Sequence, residues 1–222
     1  RIDILATGLE QSQFRLGDGA SFRAKHGIEV DRPTLLYVGR VAHEKNIEFL
    51  LRMMTAVREK IPSALFLIVG EGPAREHLRA QAIELGLGDS VKFIGYLDRD
   101  TELLDCYRAG DVFVFASRTE TQGLVLLEAL AQGTPVVSTM HMGTRDVLEN
   151  ARGVRIVGEQ ISEFADAVIK LLRNKIERER LATVAPSDAL KWSSREMAER
   201  LVHSYAATIQ THQRVGEPMM TT

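Results

Sequence analysis

The chain has 222 residues, 45% of them hydrophobic and 26% charged, and a formal net charge of −2. That is enough apolar material for one large core, and the near-neutral balance excludes a surface built to hold nucleic acid. A single cysteine, Cys106, excludes an internal disulfide, and no apolar run approaches the roughly 20 residues that span a bilayer.

Residues 1–19 are rich in Gly, Gln and Asp, with a turn-prone Gly17-Asp18-Gly19, and read as an incoming linker. A short helix is predicted over 20–26, closed by Gly27. Apolar runs then alternate with stretches of helical spacing. Strands are predicted over 34–39, 64–70, 90–97, 111–116 and 135–138, with a weaker one over 153–157. Helices are predicted over 46–61, 74–85, 101–109 and 123–131, near 145–149, and over 163–172. In the first of these, Ile47, Leu50, Leu51, Met54 and Val57 share one face. Cys106 sits in the third with Leu103, Leu104 and Tyr107, which predicts a buried, reduced thiol in a cytosolic protein.

Strands that are apolar throughout, alternating with helices, call for a parallel sheet covered on both faces. The expected fold is therefore α/β, a doubly wound, Rossmann-like parallel sheet. The organisation follows: 1–33 as linker and short helix, 34–175 as the Rossmann-like domain, 176–215 as extra C-terminal helices, and 216–222 as a tail. Lys191-Trp192-Ser193 interrupts the final helical region before a helix over 195–209.

Two predicted strands end in glycine, Gly39 and Gly70, and the third carries Gly95 near its end; parallel sheets bind ligands at the carboxyl ends of strands. Arg40 and Lys45 follow the first strand and could reach a diphosphate, or be two solvated loop cations. Val69-Gly70-Glu71-Gly72-Pro73 is a glycine-rich strand-to-helix turn without a dinucleotide or Walker pattern. Between Gly123 and Ala131 the only charge is Glu128. A carboxylate in so apolar a helix either meets a neighbouring backbone or arginine, or serves a ligand. The helix N-terminus after Glu120 suits an anion. The six histidines form no metal-ligand spacing, and there is no nucleophile elbow, so neither zinc nor acyl-transfer chemistry is expected.

Glu120, seven residues, then Glu128, with Gly123-Leu124 between them and Glu-Ala-Leu-Ala-Gln-Gly-Thr-Pro-Val-Val running from 128 to 137, resembles the retaining GT-B glycosyltransferases of family GT4. The resemblance covers residues 34–175 and extends loosely to the flanks. It implies the nucleotide-sugar-binding, C-terminal half of an enzyme whose N-terminal half is missing here. Arg40 and Lys45 would then be the pyrophosphate pair. Glu120, with the backbone of Thr121, Gln122 and Gly123, would grip the donor sugar. The amides around Gly123, Leu124 and Val125 would meet the diphosphate, and Glu128 the ribose. Gly39, Gly70 and Gly72 would line the nucleotide side, and Gly95 and Tyr96 the base. Arg40, Lys45 and Glu120 are the expected catalytic residues.

No metal or other cofactor is implied, and a UDP-sugar is the expected donor. Transfer would retain the anomeric configuration, in glycolipid or polysaccharide synthesis. The acceptor, a lipid or glycan, would come through the missing domain. The full enzyme is expected in the cytoplasm, with peripheral association at the inner face of the membrane, and this half alone is expected to be inactive. Glu-Thr-Gln-Gly-Leu is similar to diacylglycerol glucosyltransferase-like members. Two departures stand out: Gln122 replaces a common aromatic, and Met142-Gly143-Thr144-Arg145-Asp146 replaces Gly-Gly-x-x-Glu. The competing readings are an epimerase or a phosphorylase on the same architecture, and a non-catalytic assembly module.

Overall fold

Backbone N–H and C=O groups of a buried apolar run can pair only with another such run, and six of them do so here. The computed structural model describes residues 6–99 and 101–215. Its strands are β1 (Thr34–Val38), β2 (Leu65–Val69), β3 (Val91–Phe93), β4 (Val112–Phe115), β5 (Val136–Ser138) and β6 (Val154–Ile156). They form one all-parallel sheet in the order β3-β2-β1-β4-β5-β6. This is the doubly wound order, and its switch point lies between β1 and β4.

The helices are α1 (Gly19–Lys25), α2 (Ile47–Lys60), α3 (Arg75–Glu84), α4 (Glu102–Ala109), α5 (Leu124–Ala131), α6 (Thr144–Leu148), α7 (Ile161–Arg173), α8 (Lys175–Leu190) and α9 (Ser194–Val215). On one side α2 packs on α3 and α7; on the other α1, α4, α5 and α8 pack in succession. Between them lies one continuous core that includes Leu35, Leu36, Phe66, Leu67, Phe113, Val114, Leu127 and Phe164. The buried Arg23 of α1 closes its lower edge, donating to the carbonyls of Ala109 and Arg32 and pairing with Asp111 at 3.1 Å.

The expected elements are present, most with ends trimmed, whereas α7 and α9 run longer than expected, α9 as far as Val215. Among the strands the largest difference is the third, expected over 90–97 but limited to Val91–Phe93. As an edge strand it has one neighbour, and Gly95, at φ +65°, turns the chain away just beyond it. The stretch expected as an incoming linker is no loose tether from residue 6 on. Leu9 is buried and exchanges backbone hydrogen bonds with Trp192 and Ser194, so the arriving chain meets the α8–α9 junction. A short 3-10 turn, Gln11–Phe14, then lies against α5. The stretch 216–222, expected as a tail, lies outside the described residues.

Gly70 shows how tightly the carboxyl edge is built. It has φ +127°, and a Cβ there would overlap the carbonyl oxygen of Gly39 at the end of the neighbouring strand. Gly70→Ala is therefore expected to lower stability by about 2 kcal/mol or more, from backbone strain and overpacking together. A urea titration with unchanged midpoint would contradict this close approach.

Candidate functional site

At the switch point the loops after β1 and β4 part, and a crevice opens along the carboxyl edge of the sheet. One section, about 420 Å³, is lined by Gly39, Arg40, Gly70, Glu71, Tyr96, Leu97, Arg99, Leu124, Val125 and Glu128. A second section, about 330 Å³, is lined by Tyr37, Gly39, Arg40, Lys45, Phe115, Glu120 and Val125. Val38, Gly39, Arg40 and Val125 border both, so the two are one cleft divided by the end of β1. A separate hollow of about 480 Å³, beside Trp192 and Arg200, touches none of Arg40, Lys45, Glu120 and Glu128.

The β1 side supplies the cations. The buried Tyr37, stacked on Phe115, donates its hydroxyl to the carbonyl of Arg40 at 3.1 Å and so fixes the turn. Burial and the charges of Glu120 and Glu44 push the Tyr37 pKa far above the ordinary phenol value, so it remains a donor. Arg40 itself is largely exposed, with Glu44 at 3.8 Å. Lys45 Nζ lies 2.9 Å from Glu120 Oε2, both side chains largely shielded from solvent. The pairing joins the loop after β1 to the loop after β4 across the cleft.

A second set of contacts holds the Glu120 loop from behind. Asn46, in the left-handed conformation at φ +57°, donates to the carbonyl of Ala116 and to Glu159, each at 3.1 Å. Arg118 Nε reaches the same Glu159 carboxylate at 2.9 and 3.0 Å. The Arg118 hydrogen bond is the main cause holding the Glu159 pKa below 4.5; burial opposes it, and Asn46 assists. Gly143 N donates to the carbonyl of Glu120 at 3.0 Å, and a Cβ on Gly143 would overlap the carbonyl of Thr121. Met142 beside it is exposed and has φ +46°, uncommon for a residue with a side chain.

Glu128 is 3% exposed in an almost wholly apolar helix, yet its carboxylate reaches the cleft wall. Tyr107 donates to Oε2 at 2.7 Å, Gln13 Nε2 donates to Oε1 at 3.0 Å, and Arg99 pairs with Oε1. The two readings of this residue from sequence are thus compatible: the carboxylate is satisfied by neighbours and still faces the crevice. Tyr107 is fully buried, and burial together with the Glu128 charge raises its pKa well above that of free phenol.

Of the other expected site residues, Gly39, Gly70, Tyr96, Leu124 and Val125 line the cleft. Gly123 is the left-handed N-cap of α5 at φ +67°, buried behind the wall, and Thr121 and Gln122 are exposed on the loop before it. Gly72 is turned against Val41, and Gly95 sits over Glu71; neither is among the residues that line the two sections. Arg99, Tyr107, Gln13, Asn46 and Glu159 were not singled out from sequence. Arg99 follows a strand's carboxyl end, a signal that could have found it. Tyr107 has the spacing of a core residue, and Gln13 has no local signal at all.

The description of glycosyl transferases group 1 matches residues 18–188. The chain belongs to this family. Among its relatives, the D-inositol 3-phosphate glycosyltransferase of Nocardia farcinica is 32% identical over 219 residues, covering 94% of this chain and 48% of the relative. The alpha-D-kanosaminyltransferase of Streptomyces kanamyceticus is 32% identical over 203 residues, 89% of this chain and 52% of that one. The chain spans about half the length of the curated relatives it matches. In solved GT-B structures the same fold appears in sucrose-phosphate synthase from Thermosynechococcus elongatus, with a TM-score of 0.80 at 26% identity, covering 94% of this chain and 53% of that one. It also appears in the Anabaena protein Alr3699/HepE, solved with UDP, with a TM-score of 0.81 at 18% identity, covering 92% and 57%.

For this group 1 chain, two measurements test the geometry of the cleft. Tyr107→Phe keeps the ring but strips Oε2 of its donor, and is expected to cost about 1–3 kcal/mol in a urea titration, the usual scale for a buried polar group left short of a partner. Glu159, with its folded pKa depressed, contributes stability that is complete above 4.5 and lost as pH falls through the lower folded value. Its carboxyl NMR signal should titrate below 4.5 in the wild type and move back toward 4.5 in Arg118→Ala. A midpoint unmoved by that substitution would remove Arg118 as the cause.

Proposed function

We propose that this chain is the donor-binding half of a glycosyltransferase that takes a nucleoside-diphosphate sugar, with a UDP-sugar the expected donor. The observation that carries the reading is the cleft at the switch point, where Arg40 and Lys45, a helix N-terminus, and the carboxylates of Glu120 and Glu128 stand at different depths. Arg40, Lys45 and the first-turn amides of α5 at Leu124 and Val125 supply positive charge for the diphosphate. Glu128 accepts hydrogen bonds from the ribose hydroxyls, with Gly39, Gly70 and Tyr96 along the nucleotide side. Glu120, with the backbone of 121–123, takes the hydroxyls of the donor sugar. Solved relatives of the fold bind UDP and UDP-glucose, which supports this choice of ligand.

In the transfer, the acceptor hydroxyl oxygen replaces the β-phosphate oxygen at the anomeric carbon, with retention, and its proton passes to the departing phosphate. The bonding electrons leave with the phosphate, so negative charge builds on its oxygens. Lys45 is placed to meet it. The Glu120 carboxylate at 2.9 Å holds Nζ in the cleft beforehand, so little reorganisation remains when the charge develops. Arg40 is largely exposed and pairs with the half-exposed Glu44, an arrangement that leaves its guanidinium within reach of the diphosphate. These cations and the helix end take the part that a metal ion plays in other sugar-nucleotide enzymes. Among the described residues no group of three or more His, Cys, Asp or Glu is placed to hold a metal.

The acceptor enters from the other half of the full-length enzyme. α9 presents Leu201, Val202, Tyr205 and Ile209 to solvent along one face, a surface suited to cover by that half. A lipid or glycan acceptor at the inner face of a membrane remains part of this reading. No helix among the described residues is long and apolar enough to cross a membrane.

The direct test is calorimetric titration of the full-length enzyme with UDP, GDP and ADP, with and without Mg²⁺. Saturable binding of one nucleotide, equal in both conditions and weakened about tenfold in Glu128→Gln with the fold intact, is the expected result. Absence of binding for all three would end the reading. Lys45→Ala should lower kcat by about a hundredfold, the scale for removing one charge-stabilising donor. Near-normal turnover would remove Lys45 from its assigned role.

A further inference from the structure

The stretch before residue 18 lies outside the part of the chain that matches the family description, yet it contributes to the wall of the cleft. Gln13, in the 3-10 turn Gln11–Phe14, donates Nε2 to Glu128 Oε1 at 3.0 Å across 115 residues of chain. The orientation of its amide is set by its other end: Oε1 accepts the backbone N–H of Glu10 at 3.0 Å, which leaves only the NH₂ for the carboxylate. The turn is itself held in place. The buried Gln132 donates to the carbonyls of Gln13 and Arg15, at 3.0 and 2.9 Å, and accepts from Gly17 N at 2.9 Å.

We propose that Gln13 is a positioning residue for nucleotide binding: it fixes the Glu128 carboxylate in the orientation that receives a ribose, so the donor site extends into the segment ahead of the family domain. The proposal rests on the reading of Glu128 as the ribose ligand. Oε2 is held by Tyr107 and Oε1 by Gln13. With one donor on each oxygen, the carboxylate plane is set, and a remaining lone pair on each oxygen can meet the vicinal 2′- and 3′-hydroxyls. Arg99, the third partner, is largely exposed at the cleft wall and can yield to a ligand, whereas Gln13 and Tyr107 lie behind the carboxylate's outer face. Without Gln13, the partner of Oε1 among the described residues is the exposed Arg99, and the carboxylate can turn toward it.

The test compares ribonucleoside with 2′-deoxyribonucleoside diphosphates in the full-length enzyme, using UDP, GDP and ADP and their deoxy forms, with thermal midpoints recorded alongside. The wild type should favour the ribo form by roughly tenfold. Gln13→Leu should bring that ratio close to one while binding of the deoxy form changes little. Gln13→Glu keeps the acceptor for Glu10 N but loses the donor. Its ribo preference should be absent at neutral pH and return on acidification, when the added carboxyl is protonated and can donate again. A wild-type ratio retained in both variants, or equal weakening of both forms, would overturn the proposal and leave Gln13 a purely structural residue. A wild type that does not tell ribo from deoxy would overturn the reading of Glu128, and this inference with it.

Discussion

One buried carboxylate governs much of the arrangement described above. Glu128 lies in a helix whose other residues are apolar, and an ionised group there is tolerable only with donors around it. Those donors come from three places: the arriving segment, the loop after β3, and the inner face of α4. Satisfying the charge therefore ties together parts of the chain that are distant in sequence. The tyrosine must stand on α4 facing α5, and the arriving segment must cross in front of that helix pair. Gln132, one turn beyond Glu128 at the C-cap of the same helix, holds the segment in register. The requirement to neutralise a charge and the requirement to display it to the cleft are met by the same groups.

The rest of the cleft follows from strand order. Between β1 and β4 the two connections leave in opposite directions, so the loops that follow these strands diverge. Polar contacts bridge the gap between these loops: Lys45 to Glu120 across the front, and Asn46 through Glu159 to Arg118 behind. Apolar packing could not make that bridge and leave room for a polar ligand. Ion pairs near a surface contribute little stability on average, so these contacts set the shape of the loops more than the stability of the fold.

The regular part of the fold was legible because strands that are buried on both faces carry no alternation, and because helices such as α2 and α7 keep their apolar residues on one side. Leu35 to Val38 and Leu65 to Val69 could hardly be read another way. The third strand was over-extended for a physical reason: Phe93-Ile94-Gly95-Tyr96-Leu97 is apolar enough for a strand, but pairing on one side only does not oppose the turn at Gly95. The charged residues at the strand ends were legible as candidates by position and charge. Their partners were not. Tyr107 looked like core because it is core, and its hydroxyl becomes informative only when α5 is placed beside α4. Gln13 and Glu159 lie 115 and 41 residues from the groups they meet, and nothing local marks such a pairing.

The junction between the arriving chain and the last helices has a spectroscopic consequence. Trp192 is the sole tryptophan of the sequence, and its carbonyl accepts the backbone N–H of Leu9 at 2.8 Å. Its ring lies under the guanidinium of Arg200, 5.6 Å from the ring centroid, in a half-buried setting beside the α8–α9 turn. Indole emission shifts with local polarity and nearby charge, so this one chromophore observes the junction and little else. The fold thus carries an intrinsic fluorophore at the point where the polypeptide enters the domain and where its terminal helix departs.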